Sequence, residues 1–122
     1  MAEHNNLGRK GEELAKQHLE NAGYEILDEN WRFGKAEVDL IAYQNKTIIF
    51  VEVKTRTGNA FGEPEDFVDA AKQALLVSAA DKFIELMGFN GEARFDIVAI
   101  LFDQQGNYRL NHIQDAFWPD PY

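Results

Sequence analysis

Three residues, Asp39, Glu52 and Lys54, have the types and spacing of a divalent-metal site. Carboxylate oxygens are the hard ligands that Mg²⁺ or Mn²⁺ takes, and two carboxylates leave several coordination positions to water. A metal held in this way polarises a phosphate, lowers the pKa of a bound water and stabilises charge on a leaving oxygen. An ammonium two residues after Glu52, on the same strand face, can orient the attacking water or stabilise the pentacovalent charge. The chemistry that wants this set is metal-assisted phosphodiester hydrolysis. An isolated Asp…Glu-x-Lys is not specific, because a Glu/Lys pair two apart on an exposed strand is commonplace and more often a structural ion pair.

The elements that must position these residues follow from periodicity. Leu7 to Ala22 reads as a helix, with Gly23 where a helix C-terminus favours it. Tyr24–Trp31 is a first strand. Ala36–Tyr43 alternates, with Val38, Leu40 and Ala42 on one side and Glu37, Asp39 and Ile41 on the other. A short polar connection at Gln44–Lys46 leads into the strongly β-prone Thr47–Arg56. Thr57–Glu63 is a loop, and Pro64 suits the first turn of a long helix reaching about Met87, ended by Gly88 and Gly91. Arg94–Phe102 and Tyr108–Ile113 are the last strands, joined by a turn at Gln104–Asn107. The order αβββαββ predicts one α/β domain over residues 1–122: a mixed sheet of about five strands flanked by helices. Residues from about 114 to 122 form a C-terminal tail.

Charges that break the burial pattern add the missing context. At ~100° per residue, Glu12 lies within about 20° of Leu19 on the apolar face of the first helix, whereas Glu13 points to solvent. A carboxylate aimed at the core requires a partner, a metal or a cleft; a Glu at the edge of the face reaching water explains it about as well when taken alone. On the third strand, Ile48, Phe50, Glu52, Lys54 and Arg56 share one face, which begins apolar and turns charged. Both faces of a central strand are buried, so Glu52 and Lys54 mark where core gives way to a cleft. Asp39 can stand beside Glu52 if the two strands pair through the short turn. Together these features shift the balance from ion pair to catalysis.

These residues carry a family likeness. Asp39…Glu52-Val53-Lys54, set across a hairpin and preceded by a helix bearing Glu12, resembles the PD-(D/E)xK nuclease superfamily, in particular its Holliday-junction-resolvase-like branch. More closely, the chain resembles the YraN-like family of small bacterial proteins predicted to be endonucleases. The matching pieces are Gly8-x-x-Gly11-Glu12-x-x-Ala15, Asn30-Trp31-Arg32, Glu37 to Ala42, Phe50 to Arg56, Phe61-Gly62-x-Pro64, Lys72, Arg94-Phe95-Asp96 and His112-Ile113. The likeness therefore runs over nearly the whole chain. It implies a restriction-endonuclease-like fold, with Asp39 and Glu52 as metal ligands, the Val53 carbonyl as a third, Lys54 as the catalytic lysine and Glu12 as the helix-borne acid completing the site. Glu37 is an auxiliary candidate; a solvated edge charge explains it equally well. The sequence departs from the pattern at Ala36, where many relatives have glycine, and at Val38, where the superfamily's name has proline.

Composition bounds the partners. A chain of 122 residues, 45% hydrophobic and without cysteine, can bury one core and offers neither disulfides nor thiolate metal sites. The polar Met1–Asn6 is no signal peptide, and the longest apolar run, Thr47–Val53, is too short for a bilayer, so the expected location is cytoplasmic, with no membrane association. The net charge of −9 opposes non-specific DNA binding. Its distribution is uneven: residues 1–56 carry 8 Lys/Arg against 10 Asp/Glu, and residues 57–122 carry 4 against 11. The expected function is a Mg²⁺- or Mn²⁺-dependent endonuclease acting on DNA, branched DNA on the strength of the resolvase likeness, with a homodimer suited to symmetric cutting. The alternative is a non-catalytic module of the same fold whose acidic half binds a basic protein.

Other residues carry two readings each. Arg9, Lys10, Arg32 and Arg56 could contact phosphates, though surface charge explains each as well or better. Lys72 and Gln73 either face the cleft or flank the core. His18 reads as packed rather than ligating, and His112 as a structural hydrogen bonder. Trp31, Phe117 and Trp118 could stack bases, with packing the better account.

Overall fold

A computed structural model describes residues 2–58 and 68–117, with side chains from residue 6 onward. The elements are α1 (Ala2–Asn21), β1 (Glu25–Phe33), β2 (Ala36–Gln44), β3 (Thr47–Thr57), α2 (Ala70–Met87), β4 (Glu92–Phe102) and β5 (Tyr108–Ile113). They occur in the expected order αβββαββ. The five strands form one mixed sheet in sequence order. All neighbours are antiparallel except β3 and β4, which pair in parallel from Thr47↔Glu92 to Thr57↔Phe102. A parallel pair needs a crossover, and α2 lies in the connection that supplies it.

Two apolar layers hold the sheet. On one face Ile48, Phe50, Phe95 and Ile97 pack with Leu76, Ala79, Ala80 and Phe83 of α2. On the other, Ile49, Val51, Val98 and Ile100 pack with Ala15 and Leu19 of α1. The near-continuous apolar runs of β3 and β4 are what a strand buried on both faces requires. The hairpin between β2 and β3 turns at Asn45 and Lys46, with φ of 53° and 61°, the pair of left-handed residues that a tight hairpin turn takes.

Two expectations are corrected. The second helix starts at Ala70, not at Pro64, because the Asp69 carboxylate caps it by accepting the Lys72 N–H at 2.8 Å. Pro64, like Phe61 and Gly62, lies outside the described residues. Its far end is as expected: Gly88 adopts φ 62°, and its N–H reaches the Glu85 carbonyl at 3.1 Å. The simple alternation along β2 also fails. Val38 packs in the α2 layer with Ile41, whereas Leu40 packs in the α1 layer with Ala42. Strand β2 changes face at Asp39, beside Asn30 of β1, whose φ is +52°.

Candidate functional site

The site begins where two strands part. Pairing of β2 with β3 runs from Gln44↔Thr47 to Leu40↔Val51 and goes no further. Beyond that point the Val53 N–H has no ladder partner on β2, and the Asp39 carboxylate takes it instead, Oδ2 accepting at 2.8 Å. Asp39 is thereby turned out of the regular face pattern toward β3. Glu52 is almost fully buried, 4% exposed. Its Oε2 lies 2.8 Å from Lys72 Nζ and 3.4 Å from Lys54 Nζ. Its Oε1 is buried with no hydrogen-bond partner among the described residues.

Helix α1 brings the third acid. Gly11 is buried against β3, and a Cβ there would collide with the Thr55 side chain. The bare backbone lets the helix lie close on the strand. Glu12, the next residue, lines a cleft of about 540 Å³ with Gly8, Val53, Lys54, Thr55 and Arg56. Glu13 is exposed, as its helical position requires.

Electrostatics reveals an excess of negative charge. Burial, then the neighbouring Glu52 carboxylate, pushes the Asp39 carboxyl from its ordinary 3.8 up to about 7, against the pull of the Val53 N–H and Lys72. Glu12 is raised by burial and by repulsion from Glu37, Glu29 and Glu52, although a hydrogen bond with Asn30 opposes the shift. For Lys72 burial disfavours the charge, but the hydrogen bond and attraction of Glu52, with that of Asp39, raise its pKa overall. Three acids thus lie close together, and the two ammonium groups beside them both contact Glu52.

The donor set fits a hard divalent cation. An orphaned buried carboxylate oxygen is rare and calls for a partner. A cation would also lower the proton affinity of Asp39. Among the described residues no three His, Asp or Glu side chains converge closely enough to cage an ion alone. Asp39 and Glu52 would therefore hold it with a peptide carbonyl, that of Val53 being the candidate, and with water, as Mg²⁺ prefers.

The remaining sequence candidates fall elsewhere. Glu37 pairs with Arg32 at 3.1 Å on the exposed edge of the β1–β2 hairpin. Arg56 lines the cleft and donates from Nη1 to the Thr55 carbonyl at 2.9 Å. Arg9 is exposed on α1, and Lys10 lies over the Phe102 ring at 5.6 Å. Gln73 donates to the Val68 carbonyl at 3.0 Å and so secures the start of α2. Trp31 packs edge-on against Phe83 at 5.3 Å, and Phe117 stacks on Phe95 at 5.0 Å, both packing roles. Trp118 lies outside the described residues. Lys72, which its sequence position leaves open between cleft and core, reaches Glu52; the sequence between β3 and α2 has no periodicity from which its approach to the Asp39/Glu52 motif could be counted.

A second polar cluster fastens α1 to the sheet. Asp96 is fully buried on β4. Arg94 grips it by two bonds, Nε to Oδ1 at 2.8 Å and Nη2 to Oδ2 at 2.9 Å. The Asp115 N–H donates to Oδ1 at 3.0 Å, and Arg94 Nη2 also donates to the Tyr24 hydroxyl at 2.9 Å. His112 Nε2 stands 2.7 Å from Asp96 Oδ2 and donates to it. The other ring nitrogen of His112, Nδ1, lies 3.1 Å from His18 Nε2 of α1, one imidazole donating to the other. Burial alone would raise the Asp96 carboxyl, but the bonds from His112, Arg94 and Asp115 hold it below its ordinary value. Both histidines are structural. A charge amid the apolar run Phe95–Phe102, two residues from an arginine, is the signal that marks this cluster in the sequence.

The fold defines an α/β domain, a five-stranded mixed sheet with α2 packed on one face and α1 on the other. Residues 11–100 match the uncharacterised protein family UPF0102, and the chain belongs to that family. Among its relatives are UPF0102 proteins of Flavobacterium psychrophilum, 44% identical over 118 residues, and of Christiangramia forsetii, 49% identical over 118 residues. Each alignment covers 97% of this chain and 98% of the relative. A third, from Bacteroides thetaiotaomicron, is 43% identical over 119 residues, 98% of both chains. No helix among the described residues is long and apolar enough to cross a membrane.

Proposed function

We propose that this protein is a Mg²⁺- or Mn²⁺-dependent endonuclease that hydrolyses DNA phosphodiester bonds. The observation that carries the reading is Glu52 Oε1, a buried carboxylate oxygen without a partner among the described residues, beside an Asp39 whose ionisation is suppressed. Bound there, a divalent cation would supply Lewis-acid activation of the phosphate and an acidified water. The chain's own groups do the rest. Asp39 and Glu52 hold the ion, and the Val53 N–H keeps Asp39 in place. Lys54, held by Glu52, offers its ammonium to the charge that develops on the phosphoryl oxygens. Glu12 lines the cleft beside Lys54 and can accept a proton from water, and burial there raises its proton affinity above that of a free glutamate.

Branched DNA is the favoured substrate on the family resemblance, and symmetric cutting of a branch calls for two copies acting together. The test is incubation of purified protein with branched, nicked and single-stranded DNA, in Mn²⁺ or EDTA. Metal-dependent cleavage that disappears in Asp39→Ala and Glu52→Ala is expected. No cleavage at any Mn²⁺ concentration, or cleavage unchanged in those variants, would sink the proposal.

The acidity of residues 57–122 supports a second reading, a nuclease-fold module that binds a basic protein. Calorimetric titration separates the two, because a scaffold need not bind Mn²⁺ through Asp39 and Glu52.

A further inference from the structure

Lys72 and Lys54 share Glu52 Oε2, yet they differ in kind. Lys54 sits two residues along the same strand, with its side chain 18% exposed. Lys72 comes from α2, is 41% exposed and makes the shorter contact, 2.8 Å against 3.4 Å. Its backbone is fixed, because its N–H is tied to the Asp69 cap. Its side chain is a flexible stem, and an ion pair this exposed exchanges readily. Two ammonium groups on one oxygen also repel each other, and a divalent cation arriving at Asp39 and Glu52 would add to that repulsion. A substrate phosphate beside the site would relieve it by giving Lys72 another anion.

Resting on the nuclease reading, we propose that Lys72 is a tethered counter-cation, which neutralises Glu52 in the substrate-free protein and transfers to a DNA phosphate when the metal ion loads. Lys72 then couples the two ligands. With its ammonium on Glu52, metal binding is opposed; with its ammonium on phosphate, metal binding is released, and by linkage metal favours DNA to the same degree. The residue restrains a metal-charged site until a substrate is present.

The experiment is Mn²⁺ titration of the full chain, by calorimetry and by loss of free Mn²⁺ paramagnetic resonance, with and without a non-cleavable phosphorothioate branched DNA. Lys72→Gln is expected to bind Mn²⁺ about tenfold more tightly than wild type in the absence of DNA, since one nearby like charge is gone. The DNA should tighten Mn²⁺ binding in wild type and in Lys72→Arg, and much less in Lys72→Gln. Unchanged or weaker Mn²⁺ binding by Lys72→Gln, or an equal effect of DNA on all three proteins, would overturn the proposal alone. Mn²⁺ binding that persists in Asp39→Asn would instead remove the nuclease reading, and this inference with it. Circular dichroism melts of each variant verify that the comparison is between folded proteins.

Discussion

Asp39 on β2 accepts a 2.8 Å hydrogen bond from the backbone N–H of Val53 on β3, where the two strands have stopped pairing. One carboxylate thereby satisfies an amide that the sheet has abandoned and is held beside Glu52 in the same act. The position is costly, because burial and the second carboxylate both oppose its ionisation.

That cost predicts a stabilising loss-of-function variant. The Asp39 carboxyl is raised from 3.8 to about 7 in the folded chain, so its favourable contribution is complete below 3.8 and is lost as pH rises through about 7. Asp39→Asn keeps the acceptor for Val53 and carries no charge. Urea unfolding should show it more stable than wild type at about pH 8, by an amount on the order of a few kcal/mol, and scarcely different at about pH 4. Adding Mn²⁺ should stabilise wild type and leave the variant unmoved. A variant less stable than wild type at the higher pH would contradict this account.

Lys54→Ala should separate chemistry from metal binding. The lysine touches Glu52 but is not a carboxylate ligand, so Mn²⁺ should bind no more weakly than in wild type. Cleavage of branched DNA should fall about 10²–10³-fold, the loss expected when a group that stabilises transition-state charge is removed. Paired calorimetry and single-turnover kinetics test both halves.

Asp96 should be a stability residue with a sharp acid signature. Asp96→Ala strands Arg94 and His112 near a buried face, which predicts a loss of about 3–5 kcal/mol. Its carboxyl is held below the ordinary 3.8, so the stabilisation is present above 3.8 and disappears as pH falls through the lower folded value. Wild type should therefore lose stability steeply between 3.8 and that lower folded value, and Asp96→Asn should be flatter over the same range. Unfolding free energies across the acid range measure the difference.

Gly11→Ala should destabilise the protein although alanine is the better helix former by about 1 kcal/mol. The added methyl meets the Thr55 side chain, and α1 must lift from β3. Overpacking of this kind costs about 1–3 kcal/mol, and nuclease turnover should fall as Glu12 moves away from the cleft. The double variant with Thr55→Ala or Thr55→Gly, which removes the colliding hydroxyl, should recover part of both.

The element order, the five-stranded sheet and the inward turn of Glu12 were legible because each rests on a local period. The faces of β3 were legible too, since Ile48 and Phe50 do pack opposite Ile49 and Val51. The placement of Asp39 was not legible: strict alternation does not foresee a strand that changes face where it leaves its neighbour. The start of α2 differs from the expectation because the Asp69 side chain, not a proline, sets the first turn. Lys72 could not be placed, since the segment between it and β3 has no period to count along. His112 was legible as a structural hydrogen bonder, but its partners Asp96 and His18 are a matter of tertiary geometry.

The link between His18 and His112 spans 94 positions of the chain. Synthesis proceeds from the N-terminus, so α1 emerges well before the strands it rests on, and its last polar anchor exists only once residue 112 has been made. Glu12 rides on that helix. A ribosome-bound or prematurely terminated chain would carry Asp39, Glu52 and Lys54 without the helix latched over them, and the acidic site would close only once β5 has been translated.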